Sequence, residues 1–187
     1  GTGDFSLTDA AATVNIANNT VSIDAADVQI EGPLTGGEGQ ITLTPSQNSA
    51  VALGNPVGTF NLDNSDLANI ASTKELSFGT NASSLTVDGI TVAATANFSG
   101  LVLDPADSGI GVNFANNPSV FATGFNVTAE LDIAALNLSQ AVTLGEGGVG
   151  TPQGTGTFTL TGNNGSTVNQ TSLLTVGSGG ISYSLPA

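Results

Sequence analysis

The sequence predicts an all-β protein built as a β-solenoid, that is, a parallel β-helix. Three observations predict it. Apolar and polar residues alternate with a period of two along the chain, as half-buried strands require. Gly, Asn, Asp, Ser or Pro punctuates almost every gap between the alternating runs. The apolar-x-apolar pairs Val21–Ile23, Ile41–Leu43, Phe60–Leu62 and Leu76–Phe78 begin about 16 to 20 residues apart, near one coil of a solenoid. The alternative is an antiparallel β-sandwich, a pilin-like subunit, which also makes short strands with a turn every ~8–12 residues.

The alternating runs can be taken in order. The first are ATVNIA (12–17), TVSIDA (20–25), DVQIEG (27–32) and QITLTP (40–45). GTFNLD (58–63) follows, and then the one helix signal, DNSDLANIAS, where Asp63 or Ser65 is placed to cap a short turn over Leu67 and Ile70. ELSFGT (75–80), SLTVDGITVAA (84–94), GLVLDP (100–105) and GIGVNFA (109–115) come next. GFNVTAELDIAALNLS (124–139), AVTLGE (141–146), GTFTLTG (156–162) and GISYSL (180–185) complete the set. One coil of a solenoid cannot bury its apolar face alone. Stacked coils share a continuous core, with Gly or Asn at the positive-φ corners. Ile41, Leu43, Phe60, Leu62, Leu76, Phe78, Val87 and Ile90 are therefore expected in one core.

Residues 1–187 read as a single all-β domain, a fragment or repeat unit of a longer exported protein. The opening GTGDFSLTDAAATVNIANN has neither the charged nor the apolar region of a signal peptide, so Gly1 is expected to be a mature N-terminus or a cut within a longer chain.

Composition narrows the function. The chain has no His, Cys, Arg, Met or Trp; fifteen carboxylates face one basic residue, Lys74, and the net charge is −14. Catalysis generally draws on a base tunable near neutral pH, a soft nucleophile or a cation for an anionic transition state. Few of these are present, so no enzyme is expected. With so few cations there is nothing to displace counterions from phosphates, which argues against nucleic acid. Docking on anionic lipid needs basic clusters, and no window approaches the ~20 apolar residues of a membrane span.

Close acidic pairs are the remaining chemistry. Asp63 with Asp66 and Asp104 with Asp107 lie in oxygen-rich loops and are the candidate Ca²⁺ ligands, calcium being the one candidate cofactor. Glu130 and Asp132 share a strand face, the arrangement for a carboxylate-dependent polysaccharide-active β-helix, against the plainer reading of a solvated acidic edge. The Gly-rich run Gly145–Gly156 lacks the Lys and Ser/Thr of a phosphate loop and reads as an exposed loop or coil junction. Seven N-x-[ST] sites, at Asn18, Asn81, Asn97, Asn126, Asn137, Asn164 and Asn169, read as turn residues or as Asn/Thr ladders on stacked coils. The Phe residues read as core stacks, which leaves Tyr183 as the only candidate aromatic platform.

The stretch ITLTPSQNSAVALGNPVGTFNLDNSDLANIASTKELSFGTNASSLTVDGITVAA resembles the repeats of filamentous-haemagglutinin-type bacterial surface proteins. The matching positions are Ile41, Leu43, Pro45, Leu53, Gly54, Gly58, Phe60, Leu62, Leu67, Ile70, Leu76, Phe78, Gly79, Val87, Gly89, Ile90 and Val92, within about residues 21–95. The resemblance implies a right-handed parallel β-helix acting as an extracellular adhesin shaft or filament. The expected partners are further copies of the chain and a host or matrix surface. The Asn-Pro of GNPVG lies mid-chain and is not read as that family's secretion motif. The rival pilin-like subunit would polymerise by lending a terminal strand, with DFSLTDAAATVNIA as donor.

Overall fold

The computed structural model of the protein describes residues 3–55, 58–78, 81–105, 111–131, 134–145 and 154–185. The chain opens with β1 (Phe5–Leu7) and β2 (Val14–Asn15). A coil of three strands follows: β3 (Val21–Ala25), β4 (Val28–Ile30) and β5 (Leu34–Gly37). The next coil is longer, with β6 (Ile41–Pro45), β7 (Ser49–Gly54), β8 (Phe60–Asp63), helix α1 (Asn64–Ala68) and β9 (Ile70–Ser72). Then come β10 (Glu75–Phe78), β11 (Ala82–Asp88) and a 3-10 turn at Ala93–Thr95. Three regular coils follow. The first holds β12 (Gly100–Leu103), β13 (Val112–Phe114) and β14 (Ser119–Phe121). The second holds β15 (Asn126–Leu131), β16 (Ala135–Leu138) and β17 (Val142–Leu144). The third holds β18 (Phe158–Gly162), β19 (Thr167–Gln170) and β20 (Leu174–Val176), and β21 (Ile181–Ser184) begins another coil.

Every ladder among the described residues is parallel. The fold is a parallel β-helix, and the antiparallel sandwich is excluded. The supposed donor segment contributes β1, which pairs in parallel with β4 of its own chain. Three faces result. Face A is the seven-stranded sheet β3-β6-β10-β12-β15-β18-β21, and face B holds β8-β7-β11-β13-β16-β19, with the β1-β4 pair below it. Face C holds β2-β5-β9 and, beyond the 3-10 turn, β14-β17-β20.

Register makes the core. Val21, Ile41, Leu76, Leu101, Val127, Phe158 and Ile181 stack along face A, one per coil. Ile41, Leu43, Phe60, Leu62, Leu76, Phe78, Val87 and Ile90 are all buried in the single cluster, as the alternation requires. Aromatic rings fill its middle: Phe121 stacks on Phe125 with centroids 5.0 Å apart, and Phe98 meets Phe125 edge-on at 5.3 Å.

The period differs from the 16–20 residues read in the sequence. Successive steps on face A are 20, 35, 25, 26, 31 and 23 residues. Phe60–Leu62 is not on that face; it lies on face B, in register with Val51 and Leu53. The long second coil doubles back to lay β8 beside β7, so face B gains a strand that face A lacks. On face C the 3-10 turn takes the place of a strand, where the Thr95 hydroxyl accepts from Ala122 N–H (3.0 Å). SLTVDGITVAA is therefore strand only as far as Asp88.

Corners are made where the sequence offers φ > 0. Gly54 sits at φ +100°, and a Cβ there would collide with the Asp88 carbonyl oxygen. Asn116 adopts φ +61° at the equivalent corner two coils on.

Candidate functional site

The acidic residues were the sequence's only candidate chemistry, and the structure separates them. Asp63 is the N-cap of α1. Its Oδ1 accepts from Ser65 N–H (2.7 Å), the Ser65 hydroxyl (2.6 Å) and Asp66 N–H (2.9 Å). Asp66 closes the capping box, its Oδ2 accepting from Asp63 N–H (3.0 Å). Burial opposes ionisation of Asp63, but the bonds from the Ser65 hydroxyl and the Asp66 and Ser65 backbone outweigh it and hold its carboxyl below the usual value. Burial pushes Asp66 up; bonds from Ile30 and Asp63 oppose this, and the Asp63 and Asp27 charges add to it.

Asp66 has a second role that the sequence did not announce. Faces A and C run on unbroken between the first two coils, but β8 and β4 share no backbone ladder. Side chains join them instead. Asp66 Oδ1 accepts from Ile30 N–H (2.7 Å), and Asp27 Oδ1 accepts from Asn61 N–H (2.9 Å). Asn69 Nδ2 donates to Ile30 C=O (2.8 Å). Two carboxylates and an amide thus replace the missing ladder and satisfy backbone groups that would otherwise be orphaned.

Asp104 follows β12, two coils beyond Asp63 and Asp66, so these three proposed Ca²⁺ ligands do not form one site. Asp107 lies outside the described residues. Among the described residues no three His, Cys, Asp or Glu gather into a metal-holding group. Asp104 and Glu130 line one shallow groove of about 340 Å³, with Leu131, Thr161, Gly162 and Asn163. Asp132, the other half of the proposed carboxylate pair, lies outside the described residues. So does most of the Gly-rich run, residues 146–153. Glu75, on the same face, is pushed up by burial, and the Glu130 charge adds to this.

Asp88 is a carboxylate that sequence reasoning passed over. It is 5% exposed, and its oxygens accept from Asn116 Nδ2 (3.0 Å), Asn117 N–H (3.0 Å) and Asn117 Nδ2 (2.8 Å). It fastens the corner at which Gly54, Gly89 and Asn116 turn. The Asn ladder is present. Asn169 Nδ2 donates to Asn137 Oδ1 (2.9 Å), and Asn137 Nδ2 donates to Asn113 Oδ1 (2.6 Å), in register on face B.

The two edges of the described stack differ from its middle. The large apolar side chains that are exposed among the described residues are Val14 (37%), Leu173 (56%), Ile181 (45%), Tyr183 (46%) and Leu185 (41%). Val14 belongs to the first turn and the other four to the last coil and β21. Ile181 and Tyr183 continue the inward rows of Phe158 and Leu160 at the edge of the described stack. Comparison with family models, with curated proteins and with solved structures finds no match. No helix among the described residues is long and apolar enough to cross a membrane.

Proposed function

We propose that this chain is a non-enzymatic structural element of the cell exterior, a length of adhesin shaft or filament whose coils are continued end to end. The observation that carries the reading is the unbroken row on face A, from Val21 through Phe158 to Ile181, in which every pairing is parallel and in register, so that each coil is a template for the next. The resemblance to filamentous-haemagglutinin-type repeats supports the same reading, as does a surface of Thr, Ser and Asn. Ca²⁺ enters this proposal as a lateral bridge between acidic flanks.

Sedimentation velocity over a range of concentrations tests it. The expected result is a series of elongated species whose mass rises with concentration and which Tyr183→Asp abolishes. A single compact monomer at every concentration contradicts the reading.

A second reading rests on the groove that brings Asp104 beside Glu130. Two carboxylates in a groove are the minimum for glycoside hydrolysis. Glycan cleavage lost on Glu130→Gln would establish it. The structural reading expects no turnover.

A further inference from the structure

Asn164–Gly165 is the one Asn–Gly pair in the sequence. It forms the tip of the turn that carries the chain from β18 on face A to β19 on face B. The base of that turn is tied. Ser166 N–H donates to Asn163 C=O (3.0 Å), Asn163 N–H donates to Ser166 Oγ (3.1 Å), and the Ser166 hydroxyl donates to Leu131 C=O (3.3 Å). The tip is bare. Asn164 and Gly165 are exposed, and among the described residues neither the Asn164 side chain nor the Gly165 N–H has a hydrogen-bond partner. Gly165 sits at φ +102°, a conformation that glycine takes without strain, and it has no Cβ to screen its nitrogen from the side chain before it.

The related pairs of the chain are held. In Asn64–Ser65 the amide donates to Gly89 C=O (3.1 Å) and accepts from Thr91 N–H (3.0 Å), while Ser65 N–H donates to Asp63 Oδ1 (2.7 Å). In Asn48–Ser49 the serine N–H donates to Asn81 C=O (3.3 Å). Asp88–Gly89, the one Asp–Gly pair, is fastened at both groups: Asn116 and Asn117 hold the carboxylate, and Gly89 N–H donates to Asn117 C=O (3.3 Å). In each of these three pairs the backbone nitrogen that would have to attack the side chain is already engaged. At Asn164–Gly165 it is free.

We infer that Asn164 is a self-modification site, at which the chain closes a succinimide and deamidates with water as co-reactant. The Gly165 nitrogen gives up its proton to solvent and attacks Asn164 Cγ, an intramolecular step that needs no encounter. The N–Cγ bond forms, the Cγ–Nδ2 bond breaks, and the amide nitrogen takes up a proton and leaves as ammonia. Water then adds to one of the two imide carbonyls and opens the ring. Opening at Cγ leaves an aspartyl residue at position 164. Opening at the main-chain carbonyl leaves an isoaspartyl residue, with the chain running through Cγ. One water is consumed, one ammonia is released and one negative charge is gained.

The position gives the change a local effect. Asn163, the residue before the site, lines the groove that holds Asp104 and Glu130. A carboxylate at position 164 makes that corner more acidic as the molecule ages, and the isoaspartyl form also lengthens the turn between β18 and β19 by one backbone carbon. The inference holds for a shaft and for an enzyme alike.

Peptide mapping by mass spectrometry tests it on the full chain, incubated folded in neutral buffer and, in parallel, unfolded in urea until half of its Asn164 has converted. The unfolded sample sets the clock. In the folded chain the mass change of amide to acid should appear at Asn164 ahead of Asn48 and Asn64, and faster as pH rises, because the Gly165 nitrogen must lose its proton. An isoaspartyl-specific methyltransferase should label the product. Asn164→Gln must close a ring one atom larger and fix one more rotor, so it should slow the change at least about tenfold. Asn64 should convert faster in urea than in the folded chain, since unfolding frees both of its groups. An unchanged Asn164 in the folded chain at the time set by the unfolded one overturns the inference. So does earlier conversion at Asn48 or Asn64, or an equal rate for Asn164→Gln.

Discussion

Asp66 accepts from the backbone N–H of Ile30, thirty-six residues earlier, at 2.7 Å. That bond lies on the seam where the extra strand β8 meets β4, and it replaces a ladder that the doubled coil cannot make. An acidic residue with a metal-like spacing in the sequence is a structural acceptor in the fold.

Replacement of Asp66 by Ala should therefore cost more than an ordinary surface change. It leaves Ile30 N–H and Asp63 N–H without their acceptor, and each orphaned buried donor costs about 1–3 kcal/mol. Asp66→Asn keeps one acceptor and should fall between. Urea denaturation of the two variants checks the order, and equal midpoints for Asp66→Ala and the unmodified protein would remove the seam from this account.

The pH dependence should have two limbs. Glu75 and Asp66 are both pushed up by burial, so their folded forms favour the proton, and stability should rise as pH falls from neutral toward their ordinary values of 4.5 and 3.8. Asp63 is held below its ordinary value of 3.8, so the stability its ionised form contributes is lost as pH falls further. Melting temperature should pass through a maximum on the acid side of neutrality. Glu75→Gln should stabilise the protein at pH 7 and lose that advantage below pH 4.5, the ordinary value of the carboxyl it replaces.

Core changes should be costly where the rings meet. Phe125 touches both Phe121 and Phe98, so Phe125→Ala should lose about 3–5 kcal/mol, whereas Phe125→Leu should lose less. Chemical denaturation reads both. A loss below about 1 kcal/mol for the Ala variant would mean that the coils repack freely, against the density expected of a native core.

Gly54→Ala tests the corner. It places a side chain at φ +100° and drives Cβ into the Asp88 carbonyl. The expected loss is at least about 1–3 kcal/mol, with the neighbouring Asp88–Asn117 bonds weakened in amide exchange.

Assembly should respond to ions in a directed way. Copies carrying −14 repel laterally, so low salt should favour single, unbranched rods. Millimolar Ca²⁺ should draw rods side by side, and NaCl at matched ionic strength should do so less. Equal bundling in the two salts would mean that screening alone acts, with no bridging carboxylates.

Much of this architecture was legible in the sequence. Val21–Ile23, Ile41–Leu43 and Leu76–Phe78 alternate cleanly, and their side chains do stack on one face, because period two and burial on one side admit few other solutions. The cap at Asp63 was legible for a similar reason, since its signal is local. Phe60–Leu62 reads in sequence as one more step of the same repeat, because its pattern is indistinguishable from the others. What moves it is the fold-back of the second coil, and that depends on contacts with Asp27 and Ile30 more than thirty residues away. Asp88 was passed over because nothing near it in sequence marks burial; its amide partners lie a full coil further on.

The most direct measurement is fibre diffraction from aligned assemblies of the protein. If coils and copies share one continuous stack, strands run across the long axis and the spacing between rungs lies along it. The account predicts a meridional reflection near ~4.8 Å. A 4.8 Å reflection on the equator, or protein that yields only compact particles with no orientable long axis, would contradict it.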